Sequence, residues 1–554
     1  MNHFSTRTAQ RLAAFSAAGI FDADTIAFTD ELLRLSDALD APDDVLLAAA
    51  LAVRAPGQGH VCVDLRHIAE HVAVDGAAAL PWPEPSAWQT ELAARATLIT
   101  SAPNAPDTPL VLDGPRLYLT RLWLDEREVA SALTARAGNA LRIVTGGPGS
   151  GKTTRIAQEL LRMLRAQPDL RVILAAPTGK AAARLREAMI EALQRAKASA
   201  EEVARMAAVP SLTLHSLLGM RPGQLELIDA PPPSPLAADL VIIDEVSMVS
   251  LPLLARLLRM LPASTPLWLV GDPGQLASVE AGSVLADIVQ SPAAADGGAL
   301  HPSMQHLTSQ YRFGPDSGIG QLAAALRSGD AEAALAVLSS GAPDVHWVDP
   351  EASDGERRLS AVHDQLSAHA TRVVELASRG EADVALREML SLRTLCAHRE
   401  GDHGVSEWNR LVERSLALRA GDLWYVGRPL MVTRNDRELD LWNGELGVVL
   451  RSGGTVRALF PGRDGRARLV PTVRLSAIET VHAMTIHKSQ GSEFDHVVVV
   501  LPPAGSRLLT RELLYTAVTR ARTQVTLVGS EAALRGGLAR TAARASGLEE
   551  RLGA

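Results

Sequence analysis

Cysteine and long apolar runs are scarce in this sequence of 554 residues, and each shortage excludes a class of protein. Cys62 and Cys396 lie far apart, and neither belongs to a CxxC pair or a histidine cluster, so we predict neither a disulfide framework nor a zinc module. No uncharged apolar run reaches the roughly 18 residues of a membrane span, and residues 1–10 lack the apolar core of a signal peptide. We therefore expect a cytoplasmic protein with no membrane partner.

A basic excess is also missing, since the formal net charge is −8. A protein that binds phosphates over much of its surface usually carries net positive charge, so this balance is mild evidence against a nucleic-acid partner. One basic track is nevertheless compatible with an acidic remainder, particularly where other subunits cover the acidic surface. Net charge alone therefore does not decide the class of ligand.

The chain is too long for one ordinary core, and its patterns predict several domains. Residues 1–115 are predicted to be mostly helical, with a helix over residues 45–53 and a strand over residues 60–65. Apolar strands then alternate with amphipathic helices, which is typical of a parallel α/β sheet. These strands are predicted over residues 141–145, 171–177, 240–243 and 266–270.

A second α/β unit is predicted over residues 346–427 and 481–554, following a first unit over residues 116–345. Its strands are expected at residues 392–397, 497–501 and 524–529, with a helix over about residues 405–418. Residues 428–480 interrupt it with short apolar pieces separated by glycine-rich turns, the spacing of a small inserted β-barrel.

A glycine-rich segment directly after the first α/β strand carries the clearest chemistry. It matches GxxxxGK[ST], in which backbone N–H groups and a helix amino terminus bind phosphate oxygens. Lys152 is expected to neutralise the β- and γ-phosphates, and Thr153 to ligate Mg²⁺. The predicted nucleotide-binding residues are Gly146, Gly147, Pro148, Gly149, Ser150, Gly151, Lys152, Thr153 and Thr154.

Polar side chains at the ends of two later strands complete a candidate hydrolytic site. Asp244 follows a buried strand and can hold Mg²⁺, while Glu245 can orient and deprotonate the attacking water. Gln275 follows the next strand and is a candidate sensor of the γ-phosphate. A strand reaching a solvated turn, and a Pro-Gly turn with an exposed glutamine, are the alternative interpretations of these two segments.

Seven segments in order resemble the superfamily 1 helicases across most of residues 141–530. After the phosphate-binding loop, they are Ala176–Ala182, Thr213–His215, Asp244–Met248, Gly271–Leu276, Gln310–Arg312, Thr485–Phe494 and Tyr515–Arg522. The resemblance implies two RecA-like P-loop motor domains, a helical amino-terminal domain and an SH3-like β-barrel insertion, with ATP and Mg²⁺ as cofactors.

The same resemblance assigns roles to residues outside the phosphate-binding loop. Arg312 and Arg520 are expected to reach ATP from the second motor domain and to neutralise charge on the transferred phosphoryl group. Each arginine alone is also compatible with a surface ion pair, and each histidine below with a core or capping role. The implied DNA contacts are Thr178, Lys180, His215, His487 and Ser489.

Further segments resemble the RecD family of helicases, the α subunits of exodeoxyribonuclease V. These are residues 57–65, 117–123, 431–436 and 443–447. The resemblance implies a helicase that unwinds duplex ends by moving 5′→3′ along single-stranded DNA. It also implies RecB-like and RecC-like partner subunits. It also implies that residues 1–115 bind a partner and that any nuclease activity lies in another subunit. A regulatory or scaffold ATPase and a stand-alone helicase remain the alternatives.

One departure concerns recognition of the base. Members of the family usually carry a Trp-Gln pair shortly before the phosphate-binding strand, where the glutamine contacts adenine. Residues 132–140 contain no such glutamine, and Trp88-Gln89 precedes Tyr118 rather than following it. Weak discrimination between ATP and GTP is therefore expected.

Overall fold

The computed structural model describes residues 6–72, 79–101, 107–220, 235–308, 312–314, 317–416, 422–436, 438–462, 467–542 and 544–553. Its amino-terminal region combines helices with a four-stranded sheet of order β1-β4-β3-β2. The strand that comes last in the chain, β4, begins at Arg116, beyond the predicted boundary at residue 115. The sequence predicted only the first of these strands. The elements are α1 Thr6–Arg11, α2 Ala13–Ala17, α3 Ala23–Leu35, α4 Asp43–Arg54, β1 Cys62–Asp64, α5 Ile68–His71, α6 Pro85–Ala93, β2 Ile99–Ser101, β3 Leu110–Asp113 and β4 Arg116–Leu119.

A six-stranded parallel sheet of order β10-β5-β9-β8-β6-β7 forms the first α/β unit. Its inner strands β6, β8 and β9 are apolar along their length because helices cover both faces of the sheet. The elements are α7 Thr120–Arg136, β5 Leu141–Gly146, α8 Lys152–Ala166, β6 Val172–Ala176, α9 Gly179–Arg195, α10 Ala200–Ala207, β7 Ser211–Thr213, α11 Leu214–Leu217, β8 Leu240–Ile243, α12 Leu251–Met260, β9 Leu267–Gly271, α13 Val284–Gln290 and β10 Met304–Leu307.

A second parallel sheet, of order β11-β20-β19-β12-β18, confirms the second α/β unit. Its buried residues join those of the covering helices in two apolar cores. The elements are α14 Gly318–Ser328, α15 Ala331–Ser339, β11 Val345–Val348, α16 Gly355–Ser378, α17 Ala382–Ser391, β12 Leu392–Cys396, α18 Val405–Ser415, β18 Ala483–Thr485, β19 Phe494–Val500, α19 Arg511–Val518, β20 Ala521–Val528, α20 Glu531–Leu538 and α21 Leu548–Gly553.

The insertion within this second unit is a five-stranded antiparallel sheet of order β16-β15-β14-β13-β17. Its strands are β13 Pro429–Val432, β14 Leu446–Ser452, β15 Thr455–Phe460, β16 Arg468–Pro471 and β17 Ile478–Thr480. The sequence did not predict β17. Among the described strand pairings β16 and β17 are the edges, so the structure shows the predicted sheet without closing it into a barrel.

The carboxyl-terminal helix α21 returns from the second unit to the first and packs against α7 and α13. Glu126 of α7 is fully buried and receives hydrogen bonds from Tyr118 Oη (3.2 Å), the backbone N–H of Gly547 (2.9 Å) and Arg551 Nε (2.6 Å). A buried carboxylate with these partners ties the end of the chain to the first unit.

Replacing Glu126 with alanine is expected to destabilise the fold by about 3 kcal/mol, because Arg551 and Tyr118 lose a buried partner. Glu550→Ala is the control, since Glu550 pairs with Arg116 through a side chain that is 63% exposed, and it is expected to cost less than about 1 kcal/mol. Urea unfolding of the two variants compares them, and equal midpoints would contradict the structural role of Glu126.

Among the described residues, no helix combines the length and the apolar character that crossing a membrane requires.

Candidate ATP cleft and nucleic-acid groove

The phosphate-binding loop connects the end of β5 to the start of α8. Gly149 and Gly151 have φ angles of 76° and 81°, a left-handed backbone that glycine adopts without steric cost. Helix α8 begins at Lys152, whose Nζ donates hydrogen bonds to the carbonyl oxygens of Gly146 and Gly147. The loop therefore presents a helix amino terminus and one lysine to the same space, as phosphate binding requires.

The two acids after β8 lie beside this loop. Glu245 has φ 54° and ψ 42°, a conformation that costs free energy for a residue with a side chain and that clusters at active sites and ligand clamps. Burial and the neighbouring charge of Glu245 raise the pKa of Asp244 to about 6. These effects disfavour the ionised form of the Asp244 carboxyl group, and a bound cation would stabilise that form. With Thr153 on the same cavity, the donor set suits the oxygen ligands that Mg²⁺ prefers.

A cavity of about 350 Å³ brings the predicted hydrolytic residues together from both α/β units. It is large enough for a nucleotide. Gly146 and Gly147 lie at the strand end beside it, outside its lining. The predicted residues that line it are Pro148, Gly149, Ser150, Gly151, Lys152, Thr153, Thr154, Asp244, Glu245, Gln275, Arg312 and Arg520.

A buried polar network joins the two units across this cleft. Arg520 Nη2 donates to Gln275 Oε1 (3.1 Å), and Gln275 Nε2 donates to Asp272 Oδ2 (3.2 Å). Tyr515 Oη of α19 donates to the same Asp272 oxygen (2.9 Å), and the hydroxyl of Thr516 accepts from the backbone N–H of Leu276 (2.9 Å). The end of β9 is thus bonded directly to α19, so the two units cannot separate there without breaking these bonds.

Two charged residues on this cavity, Arg184 and Glu493, were not among the site residues predicted from the sequence. Burial alone would raise the pKa of Glu493, but Arg184 and Arg312 outweigh it and hold the pKa at about 2. Glu493 lies inside the helicase-like segment that ends at Phe494. Arg184 follows Lys180 by one helical turn on α9, a spacing that places both on related faces of the helix.

A second cavity, of about 230 Å³, contains three of the predicted DNA contacts. Lys180 Nζ donates to Ser492 Oγ (2.7 Å). Burial and the nearby charge of Arg184 lower the pKa of Lys180 to about 8. We call this cavity the groove; it is lined by Thr178, Lys180, Met248, Met431, Thr433, Asn443, Gly444, His487, Lys488, Gln490 and Ser492.

The other two predicted DNA contacts lie elsewhere. Ser489 is fully buried and its hydroxyl donates to the carbonyl oxygen of Ile486 (2.7 Å), so its prediction as a DNA contact is wrong. The sequence of the segment Thr485–Phe494 does not show that the short helix His487–Ser489 turns the Ser489 side chain inward. His215 is exposed on α11, next to a smaller cavity lined by Thr213, Ser216 and Trp442 among others. Residues 310 and 311 of the same predicted set of motifs lie outside the described residues.

Comparison with known proteins supplies the family. The family model for the N-terminal domain of the RecBCD enzyme subunit RecD matches residues 18–118. The RecBCD enzyme subunit RecD of Mycolicibacterium smegmatis is 43% identical over 94% of this chain and 96% of that protein. The chain belongs to the RecD family. The resemblance to superfamily 1 helicases is thereby confirmed.

Further matches place other RecD-family proteins alongside it. The RecBCD enzyme subunit RecD of Mycobacterium tuberculosis (strain CDC 1551 / Oshkosh) is 42% identical over 99% of this chain and 98% of that protein. An ATP-dependent RecD2 DNA helicase of Deinococcus radiodurans is 33% identical over 73% of this chain but only 49% of that protein. Models of an AAA domain and a UvrD-like helicase C-terminal domain match residues 125–349 and 480–528. These two ranges carry the residues of the cleft described above.

Proposed function

We propose that this RecD-family chain is an ATP-dependent DNA helicase that moves 5′→3′ along single-stranded DNA. It acts at duplex ends for recombinational repair and DNA degradation, as one subunit of a RecBCD-type complex with RecB-like and RecC-like partners. The observation that carries the proposal is the single cavity on which the phosphate-binding loop, both acids and both arginines converge from two α/β units. Nuclease activity belongs to a partner subunit in this account.

Within the cleft, the chain's own groups divide the work of hydrolysis. The amino terminus of α8 and Lys152 bind the phosphates, and Glu245 orients a water and accepts its proton. Arg312 and Arg520 neutralise charge that develops on the transferred phosphoryl group. Thr153 and Asp244 would hold Mg²⁺, which supplies charge neutralisation at the phosphate oxygens when bound.

Hydrolysis becomes movement through the bonds between the two units. Arg520 and Gln275 connect the phosphate end of the cleft to α19 and to the end of β9. When the γ-phosphate leaves, the arginines lose their anionic partner, and the two units reopen along the Gln275–Arg520 contact. Because both units line the groove, their reopening changes the contacts between the groove and the DNA strand.

The regions of the chain have separate roles in this proposal. Residues 1–115 bind a partner subunit, and the first motor domain lies within residues 116–345. Residues 346–427 with 481–554 form the second motor domain, to whose core the helices α14 and α15 of residues 318–339 also contribute. Residues 428–480 contribute Met431, Thr433 and Asn443 to the groove and so guide the strand. An SH3-like barrel remains our proposal for this insertion, supported by its five consecutive antiparallel strands.

Affinity for single-stranded DNA is expected to fall as the pH rises from 7 to 9. Lys180 has a pKa lowered to about 8, so it is cationic below that pH and loses its charge above it. Loss of one phosphate contact reduces the slope of log Kd against log salt by about 0.7 for a single strand. Fluorescence anisotropy with a labelled oligonucleotide measures both quantities.

Lys180→Arg is the matched variant, because arginine stays protonated throughout this range. It is expected to remove most of the pH dependence while keeping binding at pH 7. An equal decline in affinity in the wild type and in Lys180→Arg would show that another group causes it.

Discrimination between ATP and GTP is expected to be weak, since residues 132–140 carry no glutamine to contact the adenine. We expect kcat/KM values for the two nucleotides that differ by less than about tenfold, because the glutamine that would reject the wrong base edge is missing from residues 132–140. Steady-state hydrolysis with each nucleotide measures the ratio. A ratio as large as that of a relative with the intact Trp-Gln pair would contradict this expectation.

Co-expression with RecB-like and RecC-like subunits tests the proposal as a whole. The three chains are expected to co-purify, and the complex to unwind a duplex that offers this subunit a 5′ single-stranded tail. The Lys152→Gln complex is expected to lose the part of the unwinding that depends on that tail, because the phosphates lose their lysine. A regulatory or scaffold role would instead give a complex whose unwinding of this substrate is the same with the variant.

A further inference from the structure

Among the described residues, only one of the two terminal nitrogens of the Arg312 guanidinium has a bonding partner. Nη2 donates to Glu493 Oε1 (2.6 Å), while Nη1 is buried without a partner among the residues that the structure describes. An unpaired buried donor is costly, so such a group in a cavity indicates a ligand that completes its bonding. Since Arg312 lines the cleft that contains Lys152, an anionic oxygen is the partner that fits.

Arg312 also rests directly against the phosphate-binding loop. A Cβ atom added to Gly149 would lie 2.3 Å from the Cβ of Arg312 and 3.2 Å from its backbone nitrogen. The absence of a side chain at Gly149 is therefore what allows this approach. The Arg312 backbone therefore lies against the loop, and the bond to Glu493 orients its guanidinium.

Glu493 is itself anchored from the first α/β unit. Arg184 of α9 contacts its Oε2 at 2.5 Å, and the Glu493 side chain is only 9% exposed. Arg522 approaches the same oxygen at 3.3 Å from a more exposed position, without lining the cleft. One carboxylate thus joins Arg312 to a helix of the first unit.

Helix α9 lines the groove with Lys180, one helical turn before Arg184. Lys180 and Arg184 lie four residues apart on α9, and they bond to the consecutive residues Ser492 and Glu493. Lys180 and Ser492 line the groove, whereas Arg184 and Glu493 line the cleft. A displacement of α9 by a strand in the groove therefore changes the position of the carboxylate that orients Arg312.

We infer that Glu493 is a positioning residue for Arg312, and that Arg184 couples this position to occupation of the groove through α9. The inference rests on the proposed function, because it assigns to Arg312 the γ-phosphate as its second partner. Neither Glu493 nor Arg184 is required to touch the nucleotide in this account; they act through Arg312.

Steady-state ATP hydrolysis by the full chain, with and without oligo(dT), tests the inference on four variants. Glu493→Ala is expected to lower kcat about 100-fold, since a misplacement of about 1 Å in a catalytic group costs that much. Glu493→Gln keeps the size of the side chain and a weaker acceptor, and is expected to lower kcat about tenfold. KM and the affinity for a fluorescent ADP analogue are expected to stay within about twofold.

Arg184→Gln is expected to reduce the ratio of DNA-stimulated to unstimulated kcat at least about threefold, because the carboxylate is no longer tied to α9. Arg522→Gln is the matched control: it removes an arginine from the same carboxylate but from outside the cleft, and we expect a change of less than about twofold.

Each outcome decides between the accounts. A kcat for Glu493→Gln and Glu493→Ala within twofold of the wild type would overturn the positioning role. Parallel losses of kcat and of ADP-analogue affinity would overturn the positioning role, because Glu493 would then contact the nucleotide itself or support the fold. An unchanged stimulation ratio in Arg184→Gln would overturn the coupling. Failure of the proposed function itself is distinct, since the wild type would then show no stimulation by oligo(dT), either alone or in the reconstituted complex.

Discussion

Replacing Glu245 with glutamine is expected to slow ATP hydrolysis about 10³-fold while leaving nucleotide binding intact. The amide occupies the same volume on the cavity and can still orient a water, but it cannot accept the proton. The unusual backbone at φ 54° stays in place, because it depends on the turn between β8 and the following short helix. Single-turnover hydrolysis and equilibrium binding of an ADP analogue separate the two effects.

The matched control for Glu245 is Glu332→Gln. Glu332 pairs with Arg535 through a side chain that is 79% exposed, and it lies outside the lining of the cleft. We expect the control to hydrolyse ATP within about twofold of the wild type. A Glu245→Gln enzyme that retained more than about a tenth of the wild-type rate would remove Glu245 from the role of general base.

Replacing Arg312 with glutamine is expected to lower the DNA-stimulated kcat by about 10³-fold or more, the effect of losing an arginine that neutralises charge in phosphoryl transfer. The affinity for ADP is expected to change little, because the partner of Nη1 is the phosphate that ADP lacks. Measuring kcat and the binding of an ADP analogue on the same preparation gives both values.

Arg312→Lys provides the conservative comparison. Lysine keeps the charge but has a single terminal nitrogen. It therefore cannot reproduce the fixed geometry in which one guanidinium nitrogen bonds Glu493 and the other bonds a phosphate oxygen. We expect it to recover no more than about tenfold of the lost rate. Full activity in Arg312→Lys would mean that charge alone suffices and that orientation by Glu493 is unimportant.

Much of the cleft was predictable because its residues follow buried parallel strands. Gly146, Asp244 and Gln275 each come at or after the end of an apolar run, and parallel strands bring such ends to one edge of the sheet. The apolar runs themselves were assigned to within one or two residues of the observed strands. Local pattern and parallel topology were enough for this part of the site.

The missed parts depend on contacts that are distant in sequence. Glu493 acquires its role from Arg184 and Arg312, which are separated from it by about 309 and 181 residues, so no local pattern could reveal it. Ser489 was mistaken for a surface donor because its segment carries polar residues on both sides of a short helical turn. The strands Ile99–Ser101 and Ile478–Thr480 are three residues long, too short for an alternating pattern to be distinguished.

ATP hydrolysis by the isolated full chain, measured with and without oligo(dT), tests the central claim most directly. We expect single-stranded DNA to raise the rate of hydrolysis about tenfold or more. We expect the Lys152→Gln variant to hydrolyse no ATP in either condition, although it still binds DNA. A rate that DNA leaves unchanged, both for the isolated chain and for the reconstituted complex, would contradict the assignment of this cleft to a DNA motor.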